Sequence, residues 1–133
     1  MDANMKRYLL DTNILIYYLA DEIPIVQIPE IEEMLNYSFR ISIITRIELL
    51  GWKKQSPEEY VKADEFIHSA EVYPLTDSIA DCAINLRRSY GVSLPDAVIA
   101  GTALVHDCIL VTRNVRDFSK IRSLSLLNPF DDE

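Results

Sequence analysis

Three glycines, two cysteines, two histidines and one tryptophan are all that the 133 residues hold of those types. Neither GxGxxG nor GxxxxGK[ST] is present, so there is no loop to cradle a nucleotide phosphate, and GxSxG is missing as well. Cys82 and Cys108 have no CxxC spacing and form no paired framework; both read as small core hydrophobes in a reduced compartment. His68 and His106 stand alone, so a histidine metal site or a His-based nucleophile system has no support. No apolar run approaches the ~20 residues of a membrane span. The opening MDANMKRYLLDT lacks a long apolar h-region and a small-residue cleavage site, so a cytoplasmic setting away from membranes is expected. Repeats, low-complexity tracts and linkers are also missing. One compact domain over residues 1–133 is expected, long enough to bury roughly two-thirds of its unfolded surface.

What is abundant is acid. Twenty-one Asp and Glu against thirteen Lys and Arg give a formal charge of −8. Such a balance argues against a non-specific nucleic-acid binder, which carries a basic surface, and favours divalent cations or basic partners. Apolar residues make up 49% of the chain, which is ordinary for a globular protein.

Short β-branched or leucine-rich runs alternate with helical patterns. Strands are expected at Tyr8–Leu10, Phe39–Ile44, Glu71–Leu75, Cys108–Val111 and Leu124–Leu127. Helices are expected at Asn13–Ala20, Pro29–Tyr37, Thr45–Trp52, the stretch opened by Ser56-Pro57-Glu58-Glu59, Thr76–Tyr90 stopped by Gly91, and Ser93–Asp107. Strands separated by helices imply an α/β fold: a three-layer α/β/α arrangement around a central, mostly parallel sheet of four or five strands.

Within that frame the acids fall in a pattern. Asp11 interrupts the apolar stretch RYLLDTNILIYYLA just where the first strand feeds its helix. Glu48 lies one turn into the helix after the second strand, Asp96 lies in the first turn of the helix in SLPDAVIAGTAL, and Asn114 and Asp117 follow the strand Cys108–Val111. Each has a structural explanation. Asp11 fits a helix N-cap, Thr45-Arg46-Ile47-Glu48 fits a capping box, Ser93-x-x-Asp96 is a near variant, and Asn114-x-x-Asp117 fits a cap or an Asx turn. Together, however, strand ends that feed helices share one edge of a parallel sheet, where such sheets bind ligands. Two carboxylates about 4 Å apart repel by roughly 4 kcal/mol at an effective dielectric near 20. Several would raise one another's pKa values unless a cation intervened. Oxygen donors without His or Cys suit Mg²⁺ or Mn²⁺, and such a site without a nucleotide loop suits phosphodiester hydrolysis.

The strings LLDTNILI, ITRIELLG, LPDAVIAGTAL and LVTRNVRDF, in this order and spacing and covering almost the whole chain, resemble the PIN-domain ribonucleases, and among them the VapC-type toxins of toxin–antitoxin pairs. The resemblance implies that Asp11, Glu48 and Asp96 are acidic metal ligands. The family's fourth acidic position falls on Asn114, with Asp117 one turn further on to stand in for it. Thr12, Asn13 and Thr112 would hydrogen-bond those ligands. The resemblance further implies Mg²⁺ or Mn²⁺, an RNA substrate cut to leave a 5′-phosphate, a homodimer, and an antitoxin whose basic C-terminal segment docks at the acidic groove. Candidate RNA-binding cations are Arg46, Lys53, Lys54, Arg113 and Arg116, with Lys120 and Arg122 beyond them.

Two other readings compete. A phosphotransfer receiver or phosphatase would also place an Asp at a strand end, but the receiver wants a Lys where ILVTRN offers Arg113. The phosphatase wants a second Asp where the chain has Asn13. A PIN-like module that binds RNA or protein without cutting draws its support from Asn114 in place of an acid.

Overall fold

The computed structural model describes residues 6–130. Strand β1 (Tyr8–Leu10) is followed by α1 (Thr12–Leu19), a 3-10 turn at Ile25–Gln27, and α2 (Ile28–Tyr37). Next come β2 (Arg40–Ser42), α3 (Ile43–Leu50), α4 (Pro57–Ile67) and β3 (Glu71–Tyr73). The chain finishes with α5 (Asp77–Tyr90), α6 (Leu94–Val105), β4 (Ile109–Val111), α7 (Val115–Phe118) and β5 (Leu126–Leu127). The five strands form one sheet in the order β3-β2-β1-β4-β5, and every pair is parallel. The expected α/β class and strand number are both present.

Strand alternation builds the two outer layers, because successive side chains point to opposite faces. Leu9 and its β4 partner Leu110 face a core made with Ile79, Ala83 and Leu86 of α5, the buried side of α6, and Phe118. Leu10 and its partner Val111, with Ile41 of β2, face a second core made with Ile14, Leu15, Ile31, Met34, Leu49 and Ile67. Helices α1 to α4 thus cover one face and α5 to α7 the other. Helix α6 is buried from Ala97 through Ala103. It lies so close to α5 that a Cβ on Gly101 would stand 3.3 Å from the Ile79 carbonyl oxygen.

Several boundaries differ from the sequence expectation. The run Phe39–Ile44 is not all strand: β2 stops at Ser42, whose hydroxyl accepts the Ile44 amide at 3.1 Å and starts α3 there. The cap outweighs the β-branched preference of Ile43 and Ile44. Thr45 is therefore not the cap of a Thr45–Glu48 box; it sits inside the helix. Helix α6 ends at Val105 rather than Asp107, which adopts a left-handed φ of 55° that Asp tolerates better than most residues. By contrast, Ser56 and Glu59 form the expected capping box, and Gly91 ends α5 at φ 66°.

Nothing stands within 4 Å of a Cβ placed on Gly91, so a side chain there meets only the left-handed backbone penalty. Gly91→Ala should lower the unfolding free energy by about 1–2 kcal/mol in urea titration, and Gly91→Asn by less.

Candidate functional site

The strand order sets the place. From β1 the chain steps outward to β2 and β3, then crosses back over β1 to reach β4 on its other side. The carboxyl ends of β1 and β4 are therefore neighbours whose following helices leave for opposite faces. Ile14 and Leu15 of α1 enter one core, and Phe118 of α7 the other. Such a switch point opens a crevice at the sheet edge. Asp11 is the first residue past β1 and Thr112 the first past β4.

Asp11 is 5% exposed. Its amide donates to the Val111 carbonyl at 2.9 Å, which extends the β1–β4 ladder by one bond. Oδ1 accepts the Thr12 amide at 2.8 Å and caps α1, while Oδ2 accepts the Thr112 hydroxyl at 2.8 Å. Both bonds favour the charged form, yet burial pushes the carboxyl up to about 6, and the charges of Asp96 and Glu48 add to that. Desolvation wins over two good hydrogen bonds.

The other acids gather around it. Glu48, on the exposed side of α3, accepts the Thr12 hydroxyl at 2.7 Å, and Thr12 also pairs with the fully buried Thr45 hydroxyl at 3.0 Å. Asp96 sits in the first turn of α6, where its amide donates to the Ser93 cap at 3.3 Å. Partial burial raises its carboxyl, the Ser93 hydroxyl opposes this, and Asp117 and Glu48 push it up further. Asp117 accepts the Asn114 side-chain amide at 3.2 Å. Asn114 gives no side-chain cap to α7; its backbone amide donates instead to the Thr112 hydroxyl at 2.9 Å. Asp11, Glu48, Asp96 and Asp117 thus form one electrostatically linked set. As placed, and among the described residues, no three acidic, histidine or cysteine side chains are drawn together tightly enough to ligate one ion. Glu48 and Asp117 are each turned to a local donor. Asn13 is exposed and has no hydrogen bond to the acids among the described residues.

Arg46, Lys53, Lys54, Arg113 and Arg116 are all exposed. Glu48 also rims an open groove of about 840 Å³ between α1, α3 and α4, lined by Ile16, Leu19, Ile47 and Trp52. Two features escaped the sequence reading. Thr45 is a buried hydroxyl behind Thr12 rather than a cap, a role hidden by the misplaced helix start. Ser42, the actual cap, was visible only as one polar residue in a β-like run.

The PIN domain family matches residues 8–124. No curated protein matches the chain. Among solved structures, DNA-bound VapBC from Salmonella typhimurium is 26% identical with a TM-score of 0.82, covering 94% of this chain and 99% of that one. VapBC2 from Rickettsia felis, bound to a promoter DNA fragment, is 26% identical with a TM-score of 0.79, covering 91% and 97%. A toxin–antitoxin complex from Klebsiella pneumoniae is 29% identical with a TM-score of 0.75, covering 94% and 99%. The matched span runs from β1 to just before β5 and holds Asp11, Glu48, Asp96, Asn114 and Asp117; the chain belongs to the PIN-domain family.

Proposed function

We propose that this PIN-domain protein is a VapC-type toxin, an endoribonuclease that hydrolyses RNA phosphodiester bonds with Mg²⁺ or Mn²⁺. The observation that carries the reading is the set of four acids at the β1–β4 switch point, with Asp11 buried among them and held to a pKa of about 6. An all-oxygen donor set, in which burial and neighbouring carboxylates raise Asp11 and Asp96, is matched to a hard divalent cation. Asp11, Glu48, Asp96 and Asp117 would hold it, and such a cation neutralises phosphate charge and acidifies water. The chain's own part is positional. Thr112 and the Thr12 amide fix both oxygens of Asp11, the Thr12 hydroxyl aims Glu48, and the Ser93 cap sets the turn that carries Asp96.

The partners in this reading are RNA, a second copy of the chain, and an antitoxin with a basic C-terminal segment. The toxin–antitoxin assemblies among the similar structures support the last of these. The apolar groove between α1, α3 and α4 supplies a surface that reaches Glu48. No helix among the described residues is long and apolar enough to cross a membrane, which is consistent with the cytoplasmic setting we propose. One observation favours a second reading, a module that binds without cutting. The Asn114 amide occupies Asp117 Oδ2 where an acid would leave that oxygen free for a metal. Mn²⁺ calorimetry separates the two, since the second reading expects no saturable binding.

Cleavage of labelled RNA should require Mg²⁺ or Mn²⁺ and stop with EDTA. Loss of a hydrogen-bond partner behind a metal ligand typically costs 10–100-fold, so Thr112→Val should reduce the rate by about that much and Thr112→Ser by little. Asp11→Asn, which alters a proposed ligand itself, should cost at least about a hundredfold. Full activity of Asp11→Asn would overturn the proposal.

Stability offers a check independent of turnover. A carboxyl whose pKa is higher folded than unfolded holds more protons in the folded state between about pH 4 and about 6. Stability therefore falls as pH rises through that window. For Asp11, pushed up to about 6 by burial, the effect amounts to about 3 kcal/mol, and the raised Asp96 acts in the same direction. Urea unfolding in EDTA should show this fall in the parent and a smaller one in Asp11→Asn. Added Mn²⁺ should raise the thermal midpoint of the parent at pH 7 and not that of the variant.

A further inference from the structure

Behind Glu48 a short row of hydroxyls runs back into the core, and its closed end is Thr45. The cap of α3 is Ser42, whose oxygen takes the Ile44 amide, so the Thr45 hydroxyl is not spent on starting the helix. It stands instead 3.0 Å from the Thr12 hydroxyl on α1. Thr12 Oγ1 is in turn 2.7 Å from Glu48 Oε1. Glu48 follows Thr45 by three residues, a spacing that puts both on one side of α3. The row therefore leaves α3 at Thr45, passes through α1 and returns to α3 at Glu48. Burial falls along it: Thr45 is 0% exposed, Thr12 is 6% exposed, and Glu48 lies at the surface.

The row can be satisfied in one direction only. Each threonine hydroxyl has a single proton to give, and an ionised carboxylate only accepts. The 2.7 Å contact, the shorter and charge-assisted one, takes the Thr12 proton. Thr12 then has nothing left to donate, so the Thr45 proton fills the 3.0 Å contact by pointing at Thr12 Oγ1. In the opposite order Thr12 would turn away from Glu48, and the Thr45 proton would be buried without an acceptor among the described residues. A buried, unpaired donor carries the full cost of its lost hydration. For packing alone a valine of the same shape would serve at this position, without burying a hydroxyl. The hydroxyl earns its place through Thr12. A glutamate at the surface is otherwise free to sample several rotamers. Donation from a hydroxyl anchored in the core commits its Oε1 and leaves Oε2 without a protein donor among the described residues.

We propose that Thr45 is a positioning residue of the candidate metal site: its buried hydroxyl donates to Thr12, fixes the Thr12 proton on Glu48, and so holds that carboxylate ready for a divalent cation. This rests on the metal-dependent nuclease reading, and the test separates the two. Mn²⁺ is titrated calorimetrically into the metal-free protein at pH 7. Thr45→Val keeps the shape and removes the donor. It should weaken Mn²⁺ binding about three- to tenfold, less than the loss of a ligand's direct partner because Thr45 acts one bond further back. Thr45→Ser, which keeps the donor, should bind nearly as the parent does. Thr12→Val removes the middle of the row, and in that background Thr45→Val should cost nothing more. RNA cleavage gives a second readout. The rate lost in Thr45→Val should return as Mn²⁺ is raised to saturation, with KM for RNA unchanged.

The thermal midpoint of metal-free Thr45→Val should stay near that of the parent, and Thr45→Ala takes its place if that variant does not fold. Unchanged Mn²⁺ affinity in the donor-less variant would overturn this proposal alone. Equal losses in Thr45→Ser and Thr45→Val, or losses additive with Thr12→Val, would assign the effect to packing and overturn it as well. Absence of saturable Mn²⁺ binding by the parent protein would overturn it together with the nuclease reading.

Discussion

The buried hydrogen bond from the Thr112 hydroxyl to Asp11 Oδ2, 2.8 Å long, joins the ends of two strands about a hundred residues apart in sequence. The same hydroxyl accepts the Asn114 amide and so fixes where the chain turns toward α7 and Asp117. The other oxygen of Asp11 is committed to the Thr12 amide, which starts α1. Thr12 in turn reaches Glu48. One carboxylate and two threonines thereby translate the parallel register of β1 and β4 into side-chain positions. The site inherits the rigidity of the sheet instead of depending on a loop. Each of the three is buried, so none can trade its partner for water without a desolvation cost of about 1–3 kcal/mol.

That arrangement works against stability. Two hydrogen bonds to its charged form would ordinarily hold an aspartate below its usual pKa, yet Asp11 stands at about 6 because burial outweighs them and Asp96 and Glu48 reinforce it. A core built for stability alone would place an apolar residue or a neutral cap at this position. Functional sites are where local rules are broken in this way, with the loss made up elsewhere. Here the compensation is visible in the two cores that flank β1 and β4, where Leu9, Leu10, Leu110 and Val111 are all fully buried.

Asp11 also shows why sequence reading reached so much of the site. The structural explanation of this residue holds, since it caps α1, and the same side chain lies within the field of Asp96 and Glu48. Capping a helix at a parallel strand end puts a polar side chain on the ligand-binding edge, so a local pattern reported a tertiary position. The same logic failed at Thr45. Ile43 and Ile44 have the composition of a strand, and only the hydroxyl of Ser42, by accepting the Ile44 amide, starts the helix early and turns Thr45 from a cap into the buried partner of Thr12. A shift of this kind is decided by competition between a single cap and β propensity, too small a difference for composition to resolve. The packing of Arg113 over the rings of Tyr17 and Phe130 was less legible still, since no local periodicity encodes contacts between segments so far apart.

The charge of the chain is also reconciled by this geometry. A total of −8 describes the field far from the protein, but at 0.1 M salt the Debye length is about 10 Å, so a phosphate at the sheet edge senses its immediate neighbours. Those neighbours are of two kinds. The acids at the switch point repel a polyanion until a cation sits among them, whereas Arg113 and Arg116 lie on the loop and short helix that immediately follow β4. A bare acid cluster discourages nucleic acid and a metal-loaded one recruits it, so under this reading metal binding precedes substrate binding and the sign of the site is set by its cofactor. A basic peptide has the opposite preference, since it is drawn to the cluster when no cation neutralises it. Metal and a basic inhibitory segment should therefore compete for the same negative charge, and the acidity that first argued against a nucleic-acid enzyme becomes the property by which such an enzyme can be held silent.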